Sequence, residues 1–157
     1  MTTIFPEDFV FLSVKTYLSN RGWQILGGEP PDGTNDIIRI AIRPRVGRGR
    51  LHSLGAQKVD LISRKGSIIL LTEVKPEFSD SDRRKLDKIL LEKLPALKDA
   101  LWERCRIPPD DVKEVVKSLG FSYGSRSEAH DDFVYFEVHK NGSVSVKGGK
   151  ASLSLDV

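Results

Sequence analysis

The chain has 157 residues, of which 39% are hydrophobic and 30% are charged, and its formal net charge at pH 7 is +3. This length and composition allow a buried core and exclude a disordered or low-complexity protein. We therefore expect one domain over residues 1–157. The single cysteine, Cys105, excludes an internal disulfide and a zinc site built on cysteine pairs.

The sequence carries no signal peptide and no apolar run long enough to span a membrane. These features predict a cytoplasmic protein with no membrane partner. The modest positive charge permits a nucleic-acid partner without requiring one.

The first predicted element is a helix over residues 6–20. Pro6 suits the first helical position, and the acids that follow suit the positive end of the helix dipole. Glu7 shares the inner face of this helix with Phe11, one turn later. Two interpretations of Glu7 stay open: it compensates the helix dipole, or it is a third carboxylate above a functional site.

Two extended segments follow the first helix. Residues 23–26 read as a short extended segment, and residues 27–35 are rich in glycine and proline and predict a loop. Residues 36–43 alternate between apolar and polar side chains and predict a strand. Asp36 competes with Asp60 for the role of first site acid, but it fits better as part of a turn with Asn35.

A basic, glycine-containing segment over residues 44–57 joins this strand to the next. Because residues 39–59 contain no acid, we favour a segment that contacts phosphates, by counterion release and arginine hydrogen bonds, over a solvated loop. The residues assigned to this nucleic-acid contact are Arg43, Arg45, Arg48, Arg50 and Lys58.

Residues 58–75 predict the hairpin that carries the candidate site. With a tight turn over residues 64–67, Ser63 lies opposite Ile68 and Asp60 lies opposite Leu71. Side chains alternate along a strand, so one face then carries Asp60, Leu71, Glu73 and Lys75. Two carboxylates on diagonal positions of one face can share a divalent cation. In this register Lys58 lies opposite Glu73, and a cross-strand ion pair between them is the alternative reading of Glu73.

The order Asp60, a gap of 12 residues, and Glu73-Val74-Lys75 resembles the PD-(D/E)XK, or restriction-endonuclease-like, nuclease superfamily. Val59 stands where the superfamily name has proline. The resemblance implies an α/β fold with an αβββαβ core, in which a mixed central sheet is flanked by helices. It further implies that Mg²⁺, or Mn²⁺ in its place, is held by Asp60, Glu73 and the backbone carbonyl of Val74. Lys75 would then orient the attacking water or help to deprotonate it, and a bound metal should lower the pKa of Lys75.

After the hairpin, Ser79 or Ser81 is expected to cap a helix that starts near Asp82, with a kink or break at Pro95. The basic cluster in its first turns is either a solvated face or a second edge that contacts phosphates. A further helix is expected over residues 110–119, ended by Gly120. Residues 133–139 predict a strand, and Asn141-Gly142 predicts a tight turn into a final strand over residues 143–147.

The function predicted from these features is a magnesium-dependent endonuclease that hydrolyses DNA, of restriction, repair or mobile-element type. Two alternatives are a catalytically inactive nuclease fold that serves as a nucleic-acid-binding or assembly module, and a Holliday-junction resolvase. RNA stays open as a substrate. Because cleavage of both DNA strands requires two sites, we expect a homodimer or a partner subunit.

Overall fold

The computed structural model describes residues 4–29, 37–43, 57–125, 127–128 and 130–148, and these form a mixed α/β fold. Its elements, in chain order, are α1 Glu7–Asn20, β1 Gln24–Gly27, β2 Ala41–Ile42, β3 Gln57–Lys58, β4 Leu61–Lys65, β5 Ile68–Val74, α2 Asp80–Glu92, α3 Leu94–Cys105, a 3₁₀ turn Pro109–Asp111, β6 Glu114–Ser122, β7 Phe133–Val138 and β8 Val144–Lys147. No helix among these residues is long and apolar enough to cross a lipid bilayer.

Six of the strands form one mixed sheet in the order β1-β4-β5-β6-β7-β8. β1, β4 and β5 pair antiparallel, β5, β6 and β7 pair parallel, and β8 returns antiparallel to β7. Helices α2 and α3 supply the long connection that a parallel β5–β6 pair requires. β2 and β3 form a separate two-stranded ribbon.

Helices cover both faces of the sheet. The apolar side of α1 packs on one face, with Val10, Phe11 and Val14 fully buried against β5, β6 and β7. Helices α2 and α3 cover the other face through a second set of buried apolar residues. A strand buried on both faces needs apolar side chains at consecutive positions, which explains the run Ile69–Leu71 in β5.

Several local predictions are confirmed. α1 begins at Glu7 with Pro6 at the N-cap. The Oγ of Ser79 caps α2 by accepting a hydrogen bond of 3.2 Å from the backbone N–H of Asp82. The break at Pro95 separates α2 from α3, and the proline lies in the first turn of α3, where its missing N–H is not needed. The final hairpin follows Asn141-Gly142 as expected.

The predicted helix over residues 110–119 is wrong. A short 3₁₀ turn ends at Asp111, and the chain then enters β6, which pairs with β5 on one side and β7 on the other. The β-branched Val115 and Val116 suit a strand better than a helix, and pairing on both edges outweighs the local preference. The predicted strand over residues 36–43 shortens to Ala41–Ile42, with an isolated bridge at Arg39; Asp36 lies outside the described residues.

The predicted register of the site hairpin is also wrong by two residues. Lys65 pairs with Ile68 and Leu61 pairs with Thr72, because the turn contains only Gly66 and Ser67, with Gly66 at φ 62°. A shift of two residues leaves each side chain on its original face. Asp60 therefore still belongs to the face of Glu73, and continuation of the ladder brings it opposite Glu73 rather than Leu71.

Candidate active site

Asp60 is held at the C-terminal end of β5 by a hydrogen bond to the main chain. It lies in the bend between β3 and β4, and its Oδ2 accepts a hydrogen bond of 2.8 Å from the backbone N–H of Val74. This bond joins the segment before β4 to the last residue of β5. The two acids of the sequence motif therefore meet at one end of the sheet.

Gly28 allows the chain after β1 to pass directly beside Asp60. Its φ is 147°, and a Cβ atom at this position would lie 2.4 Å from the backbone oxygen of Asp60. The next residue, Glu29, donates a hydrogen bond of 2.8 Å from its backbone N–H to the carbonyl of Val59. This close approach requires glycine and fixes the backbone on which Asp60 is carried.

Glu73 is buried beside Asp60, with 2% of its surface exposed. Burial, followed by the hydrogen bond and the negative charge of Asp60, raises the pKa of Glu73 from 4.5 to about 9, although Lys85 acts in the opposite direction. Two carboxylates in a buried site repel each other when both are ionised. A cation placed between them would remove this repulsion.

Lys75 and Glu7 approach each other across the same end of the sheet. Lys75 Nζ lies 3.7 Å from Glu7 Oε1, so the first turn of α1 contributes an acid to the site. Partial burial acts to lower the pKa of Lys75, but the negative charges of Glu7, Asp82, Asp60 and Glu73 outweigh it and hold the pKa above its ordinary value. Lys75 is therefore an ammonium group at neutral pH in this arrangement.

Helix α2 contributes Lys85 and Asp82 to the site, and neither residue is part of the site predicted from the sequence. Lys85 Nζ forms an ion pair with Glu73 Oε1, yet that oxygen accepts no hydrogen bond of ordinary geometry from any residue described. Asp82 is half-buried, and burial raises its pKa, while the charges of Lys75 and Lys85 lower it. Asp82 and Lys85 are three residues apart in the helix that Ser79 caps, so they lie on the same helix face. This spacing is visible in the sequence and could have assigned both residues to the site.

The basic residues predicted to bind nucleic acid are only partly described. Arg43 is exposed at the end of β2, whereas Arg45, Arg48 and Arg50 lie outside the described residues. Lys58 is exposed on β3, and its Nζ lies 3.8 Å from Glu29 Oε1. The alternative pairing of Lys58 with Glu73 is wrong, because the changed register and Lys85 give Glu73 a different partner.

The arginines of the first turns of α2 have local acidic partners. Arg83 lies 2.8 Å from Asp80 and 3.0 Å from Asp87, and Arg84 lies 2.7 Å from Asp80. These contacts favour the solvated helix face over the phosphate-contacting edge for both arginines. The two arginines also balance the charge of Asp80. Asp80 lies close to Glu128 and His130, and these three residues form a second group of possible metal ligands.

The residues at the end of β5 fit a hard divalent cation. Carboxylate oxygens are the donors that Mg²⁺ prefers, and Asp60 and Glu73 bring two such groups together. The buried Oε1 of Glu73 already faces the Lys85 ammonium, so a cation bound here would share this oxygen with Lys85 or displace Lys85 from it. The carbonyl of Val74 as a further ligand stays a prediction.

No protein-family model matches this sequence, and no curated protein or solved structure is detectably similar to it. The assignment of the site therefore depends on the contacts, burial and charges of the residues themselves. The strongest of these is the adjacency of Asp60 and Glu73, with Lys75 two residues further on.

Proposed function

We propose that this protein is a cytoplasmic Mg²⁺-dependent endonuclease, able to use Mn²⁺, that hydrolyses DNA phosphodiester bonds. The observation that carries the proposal is the pair of Asp60, which is half-buried, and Glu73, which is buried, with the Lys75 ammonium at the same end of β5. A buried acid pair of this kind is costly unless a cation or a proton compensates it.

The order of elements supports the restriction-endonuclease-like assignment. Helix α1, the antiparallel strands β1, β4 and β5, the helical connection α2–α3 and the parallel strand β6 follow the αβββαβ order of the superfamily that the sequence resembles. In that arrangement the candidate acids occupy the end of the third core strand. The additional strands β7 and β8 extend the sheet beyond this core.

The proposed mechanism assigns a role to each residue of the site. Asp60 and Glu73 would hold Mg²⁺, which supplies positive charge at the phosphate and lowers the pKa of a bound water. Lys75, kept protonated by the surrounding acids, orients the attacking water and stabilises negative charge at the phosphate oxygens. Glu7 holds the Lys75 ammonium in position from α1.

The proposed substrate is inferred from exposed positive charge, and the proposed oligomeric state from the need for two sites. Arg43 and Lys58 offer exposed positive charge near the described end of the basic segment, which suits a phosphate backbone. We propose DNA as the substrate, with RNA as the alternative. A homodimer, or a partner subunit, would supply the second site that double-strand cleavage requires.

One observation favours an inactive binding or assembly module as a second candidate. Lys85 already gives Glu73 an internal cation, so the acid pair is partly compensated without a metal. In that case the site would be a structural ion-pair cluster inside a nuclease-like fold. Metal binding separates the two candidates.

The deciding experiment is calorimetric titration of Mg²⁺ and Mn²⁺ into wild type, Glu73→Gln and Lys75→Met. Supercoiled plasmid, a four-way DNA junction and RNA are then incubated with the same samples. We expect Glu73→Gln to lose both metal binding and cleavage, and Lys75→Met to bind metal but not to cleave. Absence of metal binding in the wild type would support the inactive module, and preference for the junction would identify a resolvase.

A further inference from the structure

A cavity of about 350 Å³ lies on the α3 side of the β1–β4 pair, away from the acid cluster. Three arginines from two parts of the chain line it: Arg64 at the end of β4, and Arg104 and Arg106 at the end of α3. Among the described residues that line it, none carries a carboxylate. We propose that this cavity binds a phosphate group, as a second nucleic-acid contact remote from the site of hydrolysis.

The charges around the cavity favour an anion. Within the described ranges, no ion pair involves any of the three guanidinium groups. Like charges that line one cavity raise the local positive potential, and an anion that enters the cavity lowers the electrostatic free energy. Guanidinium groups match the geometry of phosphate oxygens through paired N–H donors.

Two of the arginines are held in place before any ligand binds. The Nε of Arg64 donates a hydrogen bond of 2.8 Å to the carbonyl of Gly66, which leaves its terminal nitrogens as further donors. The guanidinium of Arg106 lies 5.5 Å from the centre of the Trp102 ring. Side chains held in this way lose less entropy when a ligand binds.

The backbone of Arg106 supports a functional role for its side chain. Arg106 has φ 56° and ψ 34°, and among the described residues it is the one non-glycine residue with a positive φ. It follows α3 at a position where glycine is favoured, because a side chain adds strain in the left-handed conformation. Arg106 therefore places a guanidinium at the end of α3 at a position where glycine would be less strained.

The position of the cavity suits a nucleic acid bound at the candidate active site, and this step depends on the proposed function. Arg64 lies four residues after Asp60, a span of about 13 Å in extended chain. This span corresponds to the axial rise of about four nucleotides on one strand of a duplex. Ile62, between Asp60 and Arg64 on this face of β4, is fully buried, so a backbone that contacts both places would follow the surface around this part of the core. The cavity volume also suits a free nucleotide, whose phosphate has the same chemistry.

The test compares wild type, Arg64→Gln, Arg104→Gln and Arg106→Gly with Lys140→Gln, an exposed charge beside the β7–β8 turn. Affinity for a fluorescent DNA duplex is measured by anisotropy against NaCl concentration in EDTA, which prevents metal-dependent cleavage. We expect each arginine variant to bind about fivefold more weakly at low salt and to lower the salt slope by about one, with Lys140→Gln close to wild type. Arg106→Gly should also raise the melting temperature, so weaker binding there cannot come from unfolding.

Thermal shifts with inorganic phosphate and a 5′-mononucleotide form the second arm of the experiment. If the wild type binds neither duplex, four-way junction nor RNA, with Ca²⁺ in place of Mg²⁺, the proposed function fails, while a phosphate-induced shift that Arg104→Gln abolishes still supports the cavity with a free phosphate ester as its ligand. Arginine variants that match wild type in both arms would overturn the proposal.

Discussion

Asp60 and Val74 are joined by a hydrogen bond of 2.8 Å, from the backbone N–H of Val74 to Oδ2 of Asp60. This contact links two segments 14 residues apart. It fixes the position of one candidate ligand relative to the strand that carries the other. Different substitutions of Asp60 can remove its negative charge alone or its charge and its acceptor oxygen together, so the two contributions can be measured separately.

We expect Asp60→Asn and Asp60→Ala to differ in stability but not in metal binding. Asparagine keeps an acceptor oxygen for Val74 and removes the charge beside Glu73, so the metal-free protein should be at least as stable as wild type. Alanine leaves the Val74 N–H without its acceptor, which should cost about 1 kcal/mol and lower the melting temperature by about 2–4 °C. Both variants should lose Mg²⁺ binding in calorimetry. Equal destabilisation by the two substitutions would show that charge, rather than the hydrogen bond, positions Asp60.

The raised pKa of Glu73 predicts how the stability of the metal-free protein depends on pH. The folded state holds the proton up to a pKa of about 9, whereas the ordinary value is 4.5. The folded protein therefore binds more protons than the unfolded chain between these values, and the free energy of unfolding falls as pH rises from about 4.5 to about 9. Urea unfolding in EDTA at pH 5, 7 and 9 should show this decrease, on the order of a few kcal/mol.

Glu73→Gln is the control for this pH dependence. Glutamine cannot titrate, so the decrease in stability between pH 5 and pH 9 should become smaller. A saturating divalent cation should have a similar effect on wild type, because it compensates the ionised carboxylates. If the free energy of unfolding of Glu73→Gln falls with pH as steeply as that of wild type, groups other than Glu73 cause the pH dependence.

Lys85→Met should strengthen cation binding. The Lys85 ammonium forms an ion pair with Glu73 Oε1 and so competes with a metal for the same negative charge. Measured near pH 9, where a proton no longer holds Glu73 neutral, its removal should lower the calorimetric Kd for Mg²⁺ about fivefold, equivalent to about 1 kcal/mol of charge interaction. Arg84→Met is the matched control, because Arg84 lies on the same helix but pairs with Asp80. Weaker metal binding in Lys85→Met would instead mean that Lys85 organises the acid pair.

Gly28→Ala should displace Asp60 and weaken metal binding. The added Cβ would lie 2.4 Å from the backbone oxygen of Asp60, so one of the two segments has to move. We expect a loss of about 1–3 kcal/mol in the free energy of unfolding, together with a higher Kd for Mg²⁺.

Gly66→Ala separates that site effect from general destabilisation. Gly66 has φ 62° in the turn after β4, and a Cβ there has no heavy atom within 4 Å. The substitution should cost about 1 kcal/mol through backbone strain and leave metal binding unchanged. Equal Mg²⁺ affinities in Gly28→Ala and Gly66→Ala would show that Gly28 does not position Asp60 for metal binding.

Features that depend on short stretches of sequence were predictable. The apolar spacing of α1, a serine cap on α2 at Ser79 or Ser81, the break at Pro95 and the Asn141-Gly142 turn each depend on neighbouring residues. β6 was not predictable in the same way. Its apolar residues suit either a helix or a strand, and the pairing with β5 and β7 decided between them.

Side-chain alternation is local and survives a register shift of two residues, so the sequence alone was enough to place Asp60 and Glu73 on one face of a hairpin; Lys75 lies beyond the last residue of β5. Only the tertiary structure decided which groups surround them. Lys85 and Asp82 come from α2, and Glu7 comes from α1. The high pKa of Glu73 likewise arises from burial under packed elements, and burial depends on contacts between segments that are distant in the chain.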